Sequence, residues 1–291
     1  EEVMKKIFKF IGVFVLVLAL TGCITKKERE LKPLEVFKKA IQEKNDSGKV
    51  MVGVNLGFSS SGVKVDLPLT LNIMFNSIDE NNLIAKINIE DNIYFGPQEL
   101  YLNMKNNTNT VYMQSSIVDS MLGIENEENY WIKQEETEDN EYSKNIEEAE
   151  KLTKTLVDEV LKEADIVLVN KENDIAEYQL NITKDLLSRI LNAVGENTSD
   201  IKFDGNIAIK IFIDTKNNHI TKMSANIGEI IKYLNLENDK TEMLNIDGID
   251  KLDITIEFDY TKVNVEIPSE VTSRAITAEE YAMKLVPSTI G

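Results

Sequence analysis

A chain of 291 residues with 42% hydrophobic residues can bury a packed core, and its length alone allows one large domain or two small ones. A formal net charge of −18 argues against nucleic acid or an anionic membrane surface as a partner, because phosphate contacts need clustered Lys and Arg. With one cysteine there is no intramolecular disulfide, so the fold must stand on its core.

The first element in chain order is a positive segment, Lys5, Lys6 and Lys9, followed by the apolar run from Phe10 to Leu20. That run is short for a bilayer-spanning helix but suits the apolar part of a signal peptide. It ends in Leu20-Thr21-Gly22-Cys23, which places the sole cysteine at the end of the run. This stretch resembles the lipobox of bacterial prolipoproteins. The resemblance implies that signal peptidase II recognises Leu20, Thr21 and Gly22 and cleaves before Cys23. It also implies that the Cys23 sulfur carries a diacylglycerol (palmitate among its acyl groups), which holds the chain at the extracytoplasmic face of the cell membrane. Residues 1–22 are then the signal peptide, 23–33 a lipidated tether, and 34–291 a single domain without a Pro-, Gly- or Ser-rich linker.

After the tether, Leu34, Phe37, Ala40 and Ile41 recur at helical spacing and predict a short helix ending near Asn45–Gly48. The pattern then changes to period two. Val52, Val54, Leu56 and Phe58 alternate up to a Ser-Gly turn, and Val63, Val65, Leu67, Leu69, Leu71, Ile73 and Phe75 form a long strand with one apolar face. Shorter strands follow over Leu83–Ile89, Leu100–Met104 and Thr110–Met113, and connections this brief predict an antiparallel meander. Ser116–Leu122 predicts a helix of one or two turns. Glu125–Glu141 is acidic around a strand at Tyr130-Trp131-Ile132-Lys133.

Ser143 can cap a helix whose one face carries Ile146, Ala149, Leu152, Leu156, Val160 and Leu161. Strands return at Asp165–Val169 and Ile175–Ile182, with Asn170–Asn173 as the turn. Thr183 caps a helix with Leu186, Leu187, Ile190, Leu191 and Val194 on one side. Ile201 to Ile213 alternate without a break, and the turn Asp214–Asn218 leads to His219–Ile227. The last strand is expected over Asp253–Val265, and Thr277-Ala-Glu-Glu280 reads as a capping box for a C-terminal helix. The fold class is therefore α+β: a long antiparallel sheet, apolar on one face, against which the helices bury their stripes.

The order of these elements resembles the LolA-like lipoprotein-carrier superfamily, which includes lipid-binding lipoproteins. The resemblance is carried by the opening helix at Leu34–Glu43, the Tyr130–Lys133 strand, the strand and Leu-rich helix at Ile175–Val194, the hairpin Ile211–Lys222, and Ile267-Pro268 closing the last strand. It implies a strongly bent sheet, a half-barrel, with amphipathic helices packed on its concave face. Between sheet and helices such proteins can enclose an apolar cavity for an acyl chain or lipid. Leu69, Ile73, Trp131, Leu156, Leu187, Leu191 and Ile209 are the candidate lining residues; ordinary core packing is the competing reading for each.

Catalytic chemistry finds little support. His219 is the sole histidine and falls beside a Lys-Asn-Asn turn, without a nucleophile partner or orienting acid in a recognisable motif. Zinc sites need several His or Cys ligands, and the acidic fragments near Asp239 and Asp247 lack the spacing of a calcium loop. The expectation is a non-enzymatic lipoprotein with no catalytic residue, metal or cofactor. Its partners are the membrane, through the lipid on Cys23, and a lipid or acyl-chain ligand. The alternative is a surface interaction or sensor lipoprotein with a solid core, whose sheet edge or acidic loop meets a protein partner that the sequence leaves unspecified.

Overall fold

A computed structural model describes residues 32–41, 45–60, 63–79, 82–90, 96–105, 108–122, 124, 128–137, 165–193, 206–228 and 246–285. The lipobox with Leu20, Thr21, Gly22 and Cys23, the helix expected after Ser143 with Leu156, and the start of the alternation at Ile201 lie outside these residues.

In chain order the elements are α1 (Pro33–Ile41), β1 (Ser47–Ser60), β2 (Val63–Asp79), β3 (Asn82–Ile89), β4 (Gln98–Lys105), β5 (Thr108–Gln114), α2 (Ser115–Leu122) and β6 (Trp131–Thr137). There follow β7 (Asp165–Glu172), β8 (Ile175–Ile182), α3 (Lys184–Ala193), β9 (Ile207–Asp214), β10 (His219–Asn226), β11 (Ile246–Asp259), α4 (Ser269–Arg274), β12 (Ile276–Thr277) and α5 (Ala278–Leu285). The twelve strands hydrogen-bond in the order β12-β6-β5-β4-β3-β2-β1-β11-β10-β9-β8-β7. Two compact units divide the chain, one drawn from residues 1–45, 52–68 and 146–258 and the other from 46–51, 69–145 and 259–291.

In the first unit, β8 to β11 are antiparallel, and their register stacks apolar residues in rows across the strands. Tyr178 faces Ile211, which faces Met223, which faces Ile256; Leu180 faces Ile209, which faces Ala225, which faces Ile254. Paired residues share a sheet face, so these rows form one surface. That surface is sealed: Ala176, Ile211, Ile213 and Ile256 are 0% exposed. The other face carries charge, including Lys222 opposite Glu257 with a 2.7 Å ion pair. Helix α1 begins with Pro33, whose fixed φ suits the first helical position. It buries Val36, Phe37, Ala40 and Ile41 and lies against β7 and β10. Thr183 caps α3 as expected, its hydroxyl accepting from the Leu186 N–H at 3.3 Å, and Leu186 and Leu187 are buried.

In the second unit, the C-terminal part of β2 and strands β3 to β6 form an antiparallel meander. One strand departs from that expectation. The two-residue β12 pairs parallel with β6, Ile276 beside Ile132 and Thr277 beside Lys133, after α4 has carried the chain back. The last long strand also ends earlier than its alternation suggests, at Asp259 rather than Val265. The Asp259 carboxylate accepts from the Thr261 N–H at 2.9 Å, a turn that competes with continued pairing. The Thr261 side chain and then its N–H hold the Asp259 carboxyl below its ordinary range, with further help from Lys49. The capping box forms as read: the Thr277 N–H donates to Glu280, and the Glu280 N–H donates to the Thr277 hydroxyl.

Candidate functional site: an apolar, half-buried sheet face

In the second unit the register again stacks apolar residues. One row runs Ile73, Ile87, Leu100, Met113, Ile132; the next runs Phe75, Ala85, Leu102, Val111, Gln134. Leu71 pairs with Ile89, which pairs with Gln98, on one side of these rows, and Ser77 pairs with Leu83, which pairs with Met104, on the other. With strands spaced about 4.8 Å apart, the Ile73–Ile132 row is about 19 Å long. None of the positions in the two central rows is charged; Glu136 ends the flanking row that runs from Ser77 through Met104 and Asn109. Lys86, Glu99, Lys133 and Glu135 all occupy the opposite parity and therefore the opposite face.

Burial separates this surface from its counterpart in the first unit. Leu71, Ile73, Phe75, Ile87, Ile89, Leu100, Leu102, Val111 and Met113 are only half-buried, and in the two rows only Ala85 and Ile132 are buried. An apolar sheet face that stays partly exposed over four strands leaves hydrophobic free energy unrealised, and such surfaces mark binding sites.

The opposite face is packed and polar at once. Tyr101 and Tyr112 are buried against Val271 of α4, with Trp131, Ile267 and Ala275 around them. The Tyr101 and Trp131 rings lie 5.7 Å apart at 55°. The Tyr101 hydroxyl donates to Glu99 at 3.2 Å, and Lys86 pairs with the same carboxylate while its ammonium sits 5.4 Å from the Tyr101 ring centre. Burial pushes the Tyr101 phenol above its ordinary value despite Lys86. Burial would lower Lys86, but its hydrogen bonds to Glu99 and Tyr101 and their charges outweigh that and raise it.

At the β6 end, α5 packs on β6 and β12 and reaches α2. The Tyr281 hydroxyl donates to Asp119 in a buried bond, and the Tyr130 and Tyr281 rings stand 5.9 Å apart. Lys284 lies 4.8 Å from the centre of the Tyr130 ring. Ser115, the first residue of α2, is fully buried and bridges to the next turn of chain, its hydroxyl accepting from the Tyr130 N–H at 3.0 Å. The Ser116 hydroxyl donates to the Gln98 side-chain oxygen at 2.6 Å.

The structure distributes the expected lining residues between different surroundings. Leu69 and Ile73 lie half-buried on β2, in the second unit, and Ile73 belongs to the apolar row. Trp131 precedes Ile132, so it faces the Tyr101 side rather than the row. Leu187 and Ile209 are buried in the first unit, at 2% and 4% exposure. Leu191 falls in α3, and its side chain lies outside the described residues, as does all of Leu156. The face also holds Phe75, Ile87, Leu100, Leu102 and Met113, which were not singled out. The signal for them was present in the alternation of the long strand β2 and of the three short strands β3 to β5.

His219 opens β10 half-buried and opposite Asp214 in register. Burial would raise the Asp214 carboxyl. It is lowered instead, because it accepts from Asn217 and Lys216 in the turn and lies near His219. Among the described residues no helix is long and apolar enough to cross a membrane.

No family model matches the chain, and no curated protein matches it. Among solved structures it is similar to LprF from Mycobacterium bovis at 14% identity and a TM-score of 0.40, over 81% of this chain and 96% of that one. It is also similar to a LolA superfamily protein from Nitrosomonas europaea, at 12% identity and a TM-score of 0.24, over 83% and 97% of the two chains. A DUF1329 family protein from Desulfovibrio piger gives 8% identity and a TM-score of 0.24, over 81% and 93%. These likenesses are distant, and the functional reading rests on the geometry of this chain.

Proposed function

We propose that this chain is a membrane-tethered extracytoplasmic lipoprotein that binds an acyl chain or lipid without catalysing a reaction. The observation that carries the proposal is the half-buried apolar face of β2–β6, whose two central rows hold no charged residue. Its matched rows offer contact to methylene groups and no counter-charge to an ionic ligand. Each CH₂ that such a surface takes out of water contributes about 0.8 kcal/mol. In this reading the sheet bends into a half-barrel, and amphipathic helices over its concave face complete an apolar cavity. Cys23, with Leu20, Thr21 and Gly22 before it, supplies the lipid anchor.

A second reading draws on β7, which is last in the strand order and exposes Val167, Leu168 and Val169 at 42%, 50% and 54%. An apolar edge strand can pair with a partner's strand, which suits an interaction or sensor lipoprotein.

One experiment separates the two. The full chain carrying Cys23→Ser, which removes its own acylation site, is titrated with a fluorescent fatty acid. The carrier reading expects saturable uptake that Leu100→Asp abolishes and Val167→Asp leaves intact. Absence of uptake by the parent would sink that reading and favour the edge-strand one.

A further inference from the structure

The Ile73–Ile132 row is open along most of its length and sealed at one end. Ile73, Ile87, Leu100 and Met113 are half-buried, whereas Ile132 is 3% exposed. The change falls at β6, where α5 packs. The Ser115 N–H donates to the Tyr130 carbonyl at 2.8 Å, extending the β5–β6 pairing by one step. Tyr130 therefore shares the face of Ile132, and the Tyr281 ring that meets it stands on that face too.

Tyr281 is itself fixed from two sides. Its hydroxyl is tied to the buried Asp119 of α2, and its ring lies against Tyr130. The reciprocal Thr277–Glu280 bonds fix the first turn of its helix. A bulky side chain so restrained makes a firm wall rather than a movable contact.

We propose that Tyr281 is the end stop of the apolar face and sets the longest acyl chain it accepts. The inference rests on the acyl-binding reading and adds the direction of the bound chain, which runs across the strands along the Ile73–Met113 row toward β6. Ser115, Ser116 and Gln98 nearby are small or polar, whereas Ile132 and, beside it, Ile276 carry the apolar row to its end and Tyr130 lies against the Tyr281 ring. Among these, Tyr281 is the bulky side chain held on two sides, by Asp119 and by Tyr130.

The test uses the full chain with Cys23→Ser and a series of saturated straight-chain fatty acids, from decanoic to icosanoic acid, displacing a fluorescent fatty acid. Tyr281→Ala is expected to move the preferred length upward, with affinity rising about fourfold for each further methylene admitted. Tyr281→Trp, which enlarges the wall without opening a void, is expected to move it downward. Tyr281→Phe keeps the ring and should leave the preferred length unchanged while lowering the melting temperature, because Asp119 loses its phenol partner. Opposite shifts for Ala and Trp support the end stop. If parent and variants share one preferred length, or lose every chain length in equal proportion, the end stop is wrong although acyl binding stands. If the parent displaces no probe at any chain length, the acyl-binding reading itself fails and takes this inference with it.

Discussion

The two units of this chain build the same kind of surface and finish it differently. In the first, Tyr178, Ile211, Met223 and Ile256 make a row across four strands in which every side chain is at most 5% exposed. In the second, Ile73, Ile87, Leu100, Met113 and Ile132 make an equivalent row across five strands, and only the last is buried. Both rows follow from period-two alternation, so composition and pairing do not account for the contrast. A sealed face contributes its full burial to stability, whereas a half-buried one leaves part of that free energy unrealised.

Truncation within each row gives the largest expected effect. Ile211→Ala should cost about 2–5 kcal/mol of unfolding free energy, because a fully enclosed side chain leaves a cavity as well as losing its transfer term. Ile87→Ala should cost less than Ile211→Ala, since Ile87 is only half-buried and has less contact to lose. Denaturant unfolding of both variants checks the ordering. Equal losses would mean that the second face is as tightly packed in solution as the first, and the contrast would be broken.

Added bulk should act with a smaller magnitude and a different readout. Ile209→Phe forces an extra ring into the sealed rows and should cost about 1–3 kcal/mol through overpacking. Leu100→Phe extends into partly open space, so its melting temperature should stay near that of the parent while fatty-acid uptake falls. If Leu100→Phe loses stability as Ile209→Phe does, or keeps full uptake, the half-buried face is not a binding surface.

Most of the strands were legible because alternation is a local property. Ile207, Ile209, Ile211 and Ile213 announce a one-sided strand whatever surrounds them, and Thr183 and Thr277 announce helix starts through their own hydroxyls. Elements that depend on distant chain were hidden. The parallel β12 is two residues long and exists because Ile276 returns beside Ile132. Helix α4 has no side-chain cap and starts after Pro268, with Val271 drawn onto Tyr101 and Tyr112. The alternation through Tyr260 to Val265 continues on paper, but the Asp259 turn ends the ladder first. The candidate site was half legible for the same reason. Leu69 and Ile73 could be placed on an apolar face, yet Leu187 and Ile209 show the same pattern and lie in the sealed unit. Nothing in a strand's own sequence says whether its apolar face will be covered.

The smallest expected effect concerns turns rather than faces, and it tests whether the contrast is confined to the faces. Each unit contains an aspartate whose carboxylate accepts backbone N–H groups: Asp214 from Lys216 and Asn217, and Asp259 from Thr261. Both are held below the ordinary carboxylate range in the folded chain. For Asp214 burial works against this, and the hydrogen bonds from Asn217 and Lys216, with His219 nearby, overcome it. Asp214→Ala should cost about 1 kcal/mol at neutral pH through the lost turn bonds. A folded value below the unfolded one means that the ionised form favours folding. The charge-dependent part of the Asp214 contribution is therefore complete above the unfolded value of about 3.9 and is lost as pH falls through the lowered folded value. Unfolding free energies of the parent and the Asp214→Ala variant, measured from neutral pH into the acid range, should differ by a constant amount at first and converge below about pH 4. Divergence on acidification would show that the Asp214 carboxyl is not held low. The Asp259→Ala variant should follow the same sign, because its turn uses the same chemistry in the other unit.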